Sequence, residues 1–141
     1  MDFSYLKKLE VKDRTARYDM FQISSEPVLI VRPATEANKP YFNAVLRKSR
    51  KNSRALRAGA INRAMITENR EQDRELFPRY VIVGWENVVD VNGESVEFSP
   101  DNCRGFLDAL PDWIFDDVRN FAGDSANFVD ELPDAETMAG N

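Results

Sequence analysis

Apolar and polar positions alternate over residues 17 to 23, "RYDMFQI", with Tyr18, Met20 and Gln22 on one side and Asp19, Phe21 and Ile23 on the other. After Ser24 and Ser25 comes a β-branched run from Val28 to Val31, closed by Pro33. A period of two, a short polar break and a second extended run predict a β-hairpin. Upstream, Phe3, Tyr5, Leu6 and Leu9 lie among charges and predict no more than a short amphipathic turn.

Beyond Pro33 the period becomes helical. Asn38 is placed to cap a helix, and Pro40 brings no N–H to a first turn that would leave it unpaired. Tyr41, Phe42, Val45 and Leu46 then recur at helical spacing. The stripe gives way to "RKSRKNSR" (47 to 54), five basic residues with Arg57 just beyond. Apolar spacing resumes with Leu56, Ala60, Ile61, Ala64 and Met65, which predicts a second amphipathic helix running from near Ser53 to near Glu75.

Extended chain returns with the short apolar run Tyr80 to Val83. In "VVDVNGESVEF", Asn92 and Gly93 stand between alternating flanks, the pair a type I′ hairpin turn prefers. Ser99, Pro100 and Asp101 open the next helix with a hydroxyl cap, a proline at the first helical position and an acid near the positive end of the dipole. Cys103, Phe106, Leu107 and Leu110 form its buried stripe. Pro111 interrupts, Asp112 can cap a successor, and Ile114, Phe115, Val118, Phe121 and Ala122 continue the stripe until Gly123. Trp113, beside that helix start, is expected in the core, whereas Trp85 divides evenly between core and partner anchor. These elements predict a helix-rich single domain of the α+β class over residues 1–131, with two small β-hairpins and about four helices. The acidic, weakly hydrophobic residues 132–141 are predicted to be a disordered tail.

Composition adds mainly exclusions. The chain has 141 residues with 43% hydrophobic, 30% charged, one cysteine and no histidine, which is globular composition of one-domain size. Cys103 alone makes no internal disulfide, and imidazole-dependent triads, histidine-containing zinc sites and His-carboxylate iron sites cannot be built from this chain. No catalytic residues, metal or cofactor are assigned. The charged start "MDFSYLKKLEVKDR" lacks a signal peptide's apolar core and no run is long enough to span a membrane, so an intracellular protein is expected.

Charge is divided along the chain. Residues 1 to 83 carry 17 Lys and Arg against 10 Asp and Glu, net +7, while residues 84 to 141 carry 2 against 14, net −12. Such blocks favour pairing within the fold or head-to-tail contact between copies. The basic run could neutralise phosphates, yet nucleic-acid readers usually carry net positive charge and a recognisable motif. The acidic row Asp108, Asp112, Asp116, Asp117 and Asp124 could imitate a phosphate backbone, or could be the polar faces of two helices. Asp116 and Asp117, about 100° apart on a helix, do not converge as an acid/base dyad, and "GAINRAM" and "GDSANF" lack phosphate-loop spacing. The residues thus point to a binding protein rather than an enzyme.

Two stretches, "RPATEANKPYFNAVLR" (32 to 47) and "YVIVGWENVVDVNGESVEFSPDNCRGFLDALPDWIFDDVRNFA" (80 to 122), resemble the tail assembly chaperones of long-tailed bacteriophages. The valine-rich run into Gly84 and Trp85, the Asp90 to Gly93 turn, Val96 and Phe98 before Ser99 and Pro100, and the leucine-containing helix that follows carry the likeness, over about 60 of the 141 residues. The resemblance implies binding and solubilisation of the tape measure protein, recruitment of tail tube protein, action in several copies, and a place in the host cell cytoplasm rather than in the mature virion. It also raises a frameshifted longer product, which amino acids do not reveal.

By chemistry, the candidate contact residues are Tyr41, Phe42, Leu46, Leu56, Ile61, Met65 and Trp85, with Arg47, Arg50, Arg54 and Arg57 as an electrostatic rim. Apolar area would supply affinity, and charge would steer and limit it. The runner-up reading is an acidic nucleic-acid mimic that inhibits a host nucleic-acid-binding protein.

Overall fold

The computed structural model describes the backbone of residues 1–57 and 63–130 and the side chains of 1–48 and 69–130. The predicted acidic tail and Ile61 lie outside the described residues, as do the side chains of Arg50, Arg54, Leu56, Arg57 and Met65. A 3-10 turn, Ser4–Leu9, precedes two strands, β1 (Ala16–Asp19) and β2 (Val28–Val31). Helices α1 (Lys39–Arg57) and α2 (Arg63–Tyr80) follow, then β3 (Ile82–Glu86). Helices α3 (Pro100–Ala109) and α4 (Asp112–Gly123) and a 3-10 turn, Ser125–Phe128, complete this single α+β domain.

The predicted first hairpin forms, with β1 antiparallel to β2 and Arg17 opposite Ile30. On its other edge β2 pairs with β3, also antiparallel, in the order β1-β2-β3. As the middle strand, β2 is the most deeply buried of the three, which is why it reads as an unbroken β-branched run rather than an alternating one. The second hairpin closes with one bridge, Val89 to Ser95, and its turn differs from the type I′ expectation. A type I′ turn needs positive φ at both central residues; within this loop Gly93 has φ 77° and Asn92 does not. Asp90 closes the loop instead, its Oδ1 accepting the Asn92 and Glu94 N–H groups at 2.8 and 3.0 Å. Gly93→Ala meets no atom within 4 Å, so its expected cost of about 1–2 kcal/mol is conformational alone. Gly105→Ala, inside α3 and equally unobstructed, should gain up to about 1 kcal/mol. Chemical denaturation of the two variants checks the opposite signs.

Asn38 caps α1 as its side chain suggested, the Oδ1 accepting the Tyr41 N–H at 3.3 Å. Fully buried, it also donates from Nδ2 to the Tyr80 carbonyl at 2.7 Å, joining the start of α1 to the end of α2. Two boundaries differ from the sequence reading. The run 47 to 54 contains neither glycine nor proline, and α1 passes through Ser53 to Arg57 rather than restarting there. Beyond Glu75, α2 continues through Pro78 to Tyr80. Pro78 gives up the backbone bond its position would make to the carbonyl four residues earlier, a loss confined to the last turn, and Leu76 and Phe77 are buried in return. The Ser99 cap is as expected, its Oγ accepting the Asn102 N–H at 3.0 Å.

The core gathers Met20, Leu29, Val31, Phe77, Val81, Leu107, Phe115, Val118 and Phe128 from the sheet, α2, α3, α4 and the last 3-10 turn. Phe77 and Phe115 meet edge to face at 5.6 Å, and Tyr41 meets Phe77 at 5.9 Å. Such aromatic pairs favour tilted contact because of the ring quadrupole.

Candidate functional site

The outer face of α1 is the surface the sequence nominated, and burial divides its candidates. Leu46 is 45% exposed, Arg47 is exposed and Phe42 is half-buried. Tyr41 is 8% exposed and faces the core, which corrects its placement among the contact residues. Its hydroxyl donates to Asp73 Oδ1 at 2.8 Å. Burial first, and then the Asp73 carboxylate, push the phenol well above its ordinary pKa. Trp85 also serves the fold: its Nε1 donates to the Val96 carbonyl at 2.9 Å, and its ring meets Phe98 and Phe106 edge on. Trp113, expected inside, is 60% exposed. The residues of α4 that turn inward are Ile114, Phe115, Val118 and Ala122, and the position before Ile114 is rotated about 100° from it.

Beneath that surface runs a polar network linking all four α-helices. Arg70 grips Asp116 with two N–H groups at 2.9 and 2.8 Å and reaches Asp112 at 3.4 Å. Arg74, 4% exposed, donates to the carbonyls of Leu107 and Leu110 and to Asp112 Oδ1, and its guanidinium lies 4.7 Å from the centre of the Phe115 ring. Arg119 donates to Asp73 at 2.9 Å and to Asp116 at 3.3 Å. Asp73 therefore joins Tyr41 of α1 to Arg119 of α4, while Arg70 and Arg74 fasten α2 to the α3–α4 corner. Lys48 adds a bond to Glu75 at 2.6 Å between α1 and α2, and holds that carboxyl below its usual range.

Asp112, expected as a cap, is instead the first residue of α4 and turns to Arg70 and Arg74, and Pro111 holds the cap position with no side-chain hydrogen bond. Sequence reading missed Arg70, Asp73, Arg74 and Arg119. A signal for two of them existed: cations four apart at 70 and 74 match anions four apart at 112 and 116, as one helix face meeting another requires.

Each acid of the row has a partner within the fold. Asp112 and Asp116 face arginines, Asp108 pairs with Arg104 at 3.0 Å, Asp117 accepts from Gln22 at 3.0 Å, and Asp124 caps the last 3-10 turn. Asp116 and Asp117 thus turn to different partners. Cys103 is buried, and burial pushes its thiol up to about 12, far from a nucleophile's range. Among the described residues, one open cleft of about 460 Å³ is lined by Glu10, Val11, Thr35, Glu36, Ala37, Lys39 and Ser125, and another of about 260 Å³ lies between Glu75, Arg79, Asp101 and Arg104.

Arg70, by its bidentate bond, holds the Asp116 carboxyl below the ordinary carboxylate range, assisted by Arg119. A depressed folded-state pKa contributes stability that is present above the unfolded value near pH 4 and is lost as pH falls through the folded value. Asp116→Asn should therefore be less stable than the parent at pH 7 and lose less on acidification. Urea midpoints at pH 7 and pH 3 check this; equal acid slopes would remove Asp116 from the account.

A family model described as YdaY prophage protein matches residues 36–141. No curated protein and no solved structure matches the chain.

Proposed function

The chain belongs to the YdaY prophage protein family and is phage-derived, and from that premise we propose that it is a tail assembly chaperone that holds the tape measure protein soluble. The observation that carries the reading is the helical pair itself. Between Glu36 and Glu68 the chain has eight Lys and Arg and no acid, and Leu46 and Arg47 stand exposed on the described part of α1. Apolar residues at helical spacing beside cations suit reversible capture of another amphipathic helix.

The polar network supports this reading by bracing α2 against α4 through Arg70 and against α1 through Tyr41 and Lys48. It weakens the nucleic-acid mimic, whose acidic row already faces this chain's own partners. Recruitment of tail tube protein follows as the later step, and chaperone and client separate without a covalent bond made or broken. No membrane partner is invoked: among the described residues no helix is long and apolar enough to cross one.

Co-expression with a segment of the tape measure protein encoded by the same prophage tests the proposal. The client's soluble fraction should rise severalfold with the parent chain and fall back with Leu46→Asp, whose exposed position leaves the fold intact. A client equally insoluble with and without the chain ends the proposal. Displacement of DNA from a host nuclease would favour the mimic instead.

A further inference from the structure

The loop that closes the second hairpin carries chemistry of its own. The chain has a single Asn-Gly pair, Asn92 and Gly93, and both residues are exposed at the tip of that loop. The Asn92 side-chain amide makes no hydrogen bond within the described residues. No atom lies within 4 Å of where a Gly93 side chain would begin, and glycine itself adds no Cβ to crowd its nitrogen. Other asparagines are restrained. Asn102 and Asn127 donate from their side chains to the Glu97 and Phe121 carbonyls, each at 2.9 Å. Asn38 is fully buried, and Asn43 and Asn120 lie inside α1 and α4. Asn87 is followed by Val88, a stiff β-branched residue that is 4% exposed.

We infer that Asn92 is a site of spontaneous covalent modification, with water as the co-reactant. Asparagine is among the thermolabile side chains. The Gly93 backbone nitrogen bonds to Asn92 Cγ, its own proton passing to solvent. The bond from Cγ to Nδ2 breaks, the leaving nitrogen takes up a proton, and ammonia departs from a five-membered imide. Water then opens that ring at one of its two carbonyls. Cleavage between Cγ and the Gly93 nitrogen leaves aspartate in the original backbone. Cleavage between the main-chain carbonyl carbon and that nitrogen leaves isoaspartate, whose backbone runs through the side chain and is longer by a methylene. One amide and one water become one carboxylate and one ammonium ion, and nothing is oxidised or reduced.

Asp90 governs the rate. The Gly93 N–H donates to the Asp90 carbonyl at 3.0 Å, and a nitrogen held there is not free to attack its neighbour's side chain. The Asp90 carboxylate keeps the loop in that form by accepting the Asn92 and Glu94 N–H groups. Attack therefore waits on local opening, which an exposed loop closed by a few bonds undergoes far more often than the core unfolds. The product then alters the hairpin. In the isoaspartyl form the added methylene separates the two N–H groups that one Asp90 oxygen binds, so the loop no longer closes as before. That change reaches Trp85, because the Val96 N–H donates to the Val88 carbonyl at 2.8 Å and the Val96 carbonyl accepts the indole N–H at 2.9 Å. In both forms a third carboxylate joins Asp90 and Glu94, and like charges at close range repel. The site needs no client and does not rest on the chaperone reading.

Peptide mapping by mass spectrometry, with enzymatic methylation of isoaspartate, tests this on the full chain held at 37 °C and at pH 7 or pH 8. Ammonia should appear in step with aspartate and isoaspartate at position 92, faster at the higher pH because the attacking nitrogen acts without its proton. Asp90→Ala should raise the rate severalfold. Asn92→Gln, whose longer side chain closes a ring slowly, should yield no such product in the same time. In a Trp113→Phe background, Trp85 emission should drift as the chain ages and stay constant once Asn92→Gln is added. A folded parent that keeps Asn92 intact while the urea-unfolded chain loses it overturns the inference, and so does product spread evenly over the asparagines. An Asp90→Ala rate equal to the parent's, with the fold retained by circular dichroism, removes Asp90 as the controlling residue.

Discussion

Truncating Phe115 to alanine should lower the stability of this protein by about 3–5 kcal/mol. Its ring is fully buried and meets Phe77 edge on at 5.6 Å, while the Arg74 guanidinium lies 4.7 Å from the ring centroid. Removing it takes away transfer free energy and leaves a hole whose walls come from α2 and α4, elements whose spacing is also fixed by polar bonds, which limits how far they collapse inward. For a chain of this size the melting temperature should fall by roughly 10 °C or more. Urea unfolding should show a lower midpoint at an unchanged slope, the sign of altered stability rather than an altered denatured state. A loss below about 1 kcal/mol would mean that this ring is not the centre of the core.

Arg74→Met should cost about 3 kcal/mol, even though methionine nearly preserves the aliphatic volume. The guanidinium serves the carboxyl end of α3, donating to the Leu107 and Leu110 carbonyls, and it also meets Asp112 at 2.8 Å and Glu71 at 3.3 Å. A cation at a helix carboxyl end also opposes the helix dipole. Without it, buried carbonyls lose their donors, each worth about 1–3 kcal/mol, although Leu107 keeps the Leu110 N–H at 3.2 Å. Arg74→Lys should recover only part of the loss, because one ammonium cannot span a fork of acceptors. A double-mutant cycle with Phe115→Leu should return a coupling of about 0.5–2 kcal/mol from the cation over the ring. An additive cycle, or a neutral Arg74→Met, would reassign Arg74 to the surface.

Both effects depend on residues whose importance the one-dimensional pattern barely carried. Phe115 was legible as core, since it falls on the stripe with Ile114, Val118 and Ala122. Arg74 was not, because charge within a helix normally marks the outer face, and here burial is offset by acceptors 33 to 38 positions later in the chain. Tyr41 misled in the opposite direction: its stripe was right, but the Asp73 that lets a phenol sit inside lies 32 positions away. Trp113 misled because a bulky aromatic beside an apolar stripe reads as part of it, while the helix phase turns it out to solvent.

Local chemistry by itself determined the hairpin at β1 and β2, the caps at Asn38 and Ser99, the helix pair after Pro100, and the acid-free basic stretch that the functional reading uses. Each is a matter of neighbours within a few positions, where backbone propensity, capping and periodicity act. Tertiary structure decided which charges cancel, which aromatics are inside, and that β3 joins β2 as a third strand. Those outcomes depend on distances between groups remote in sequence, and a side chain's energy follows from whether its partner or water lies beside it.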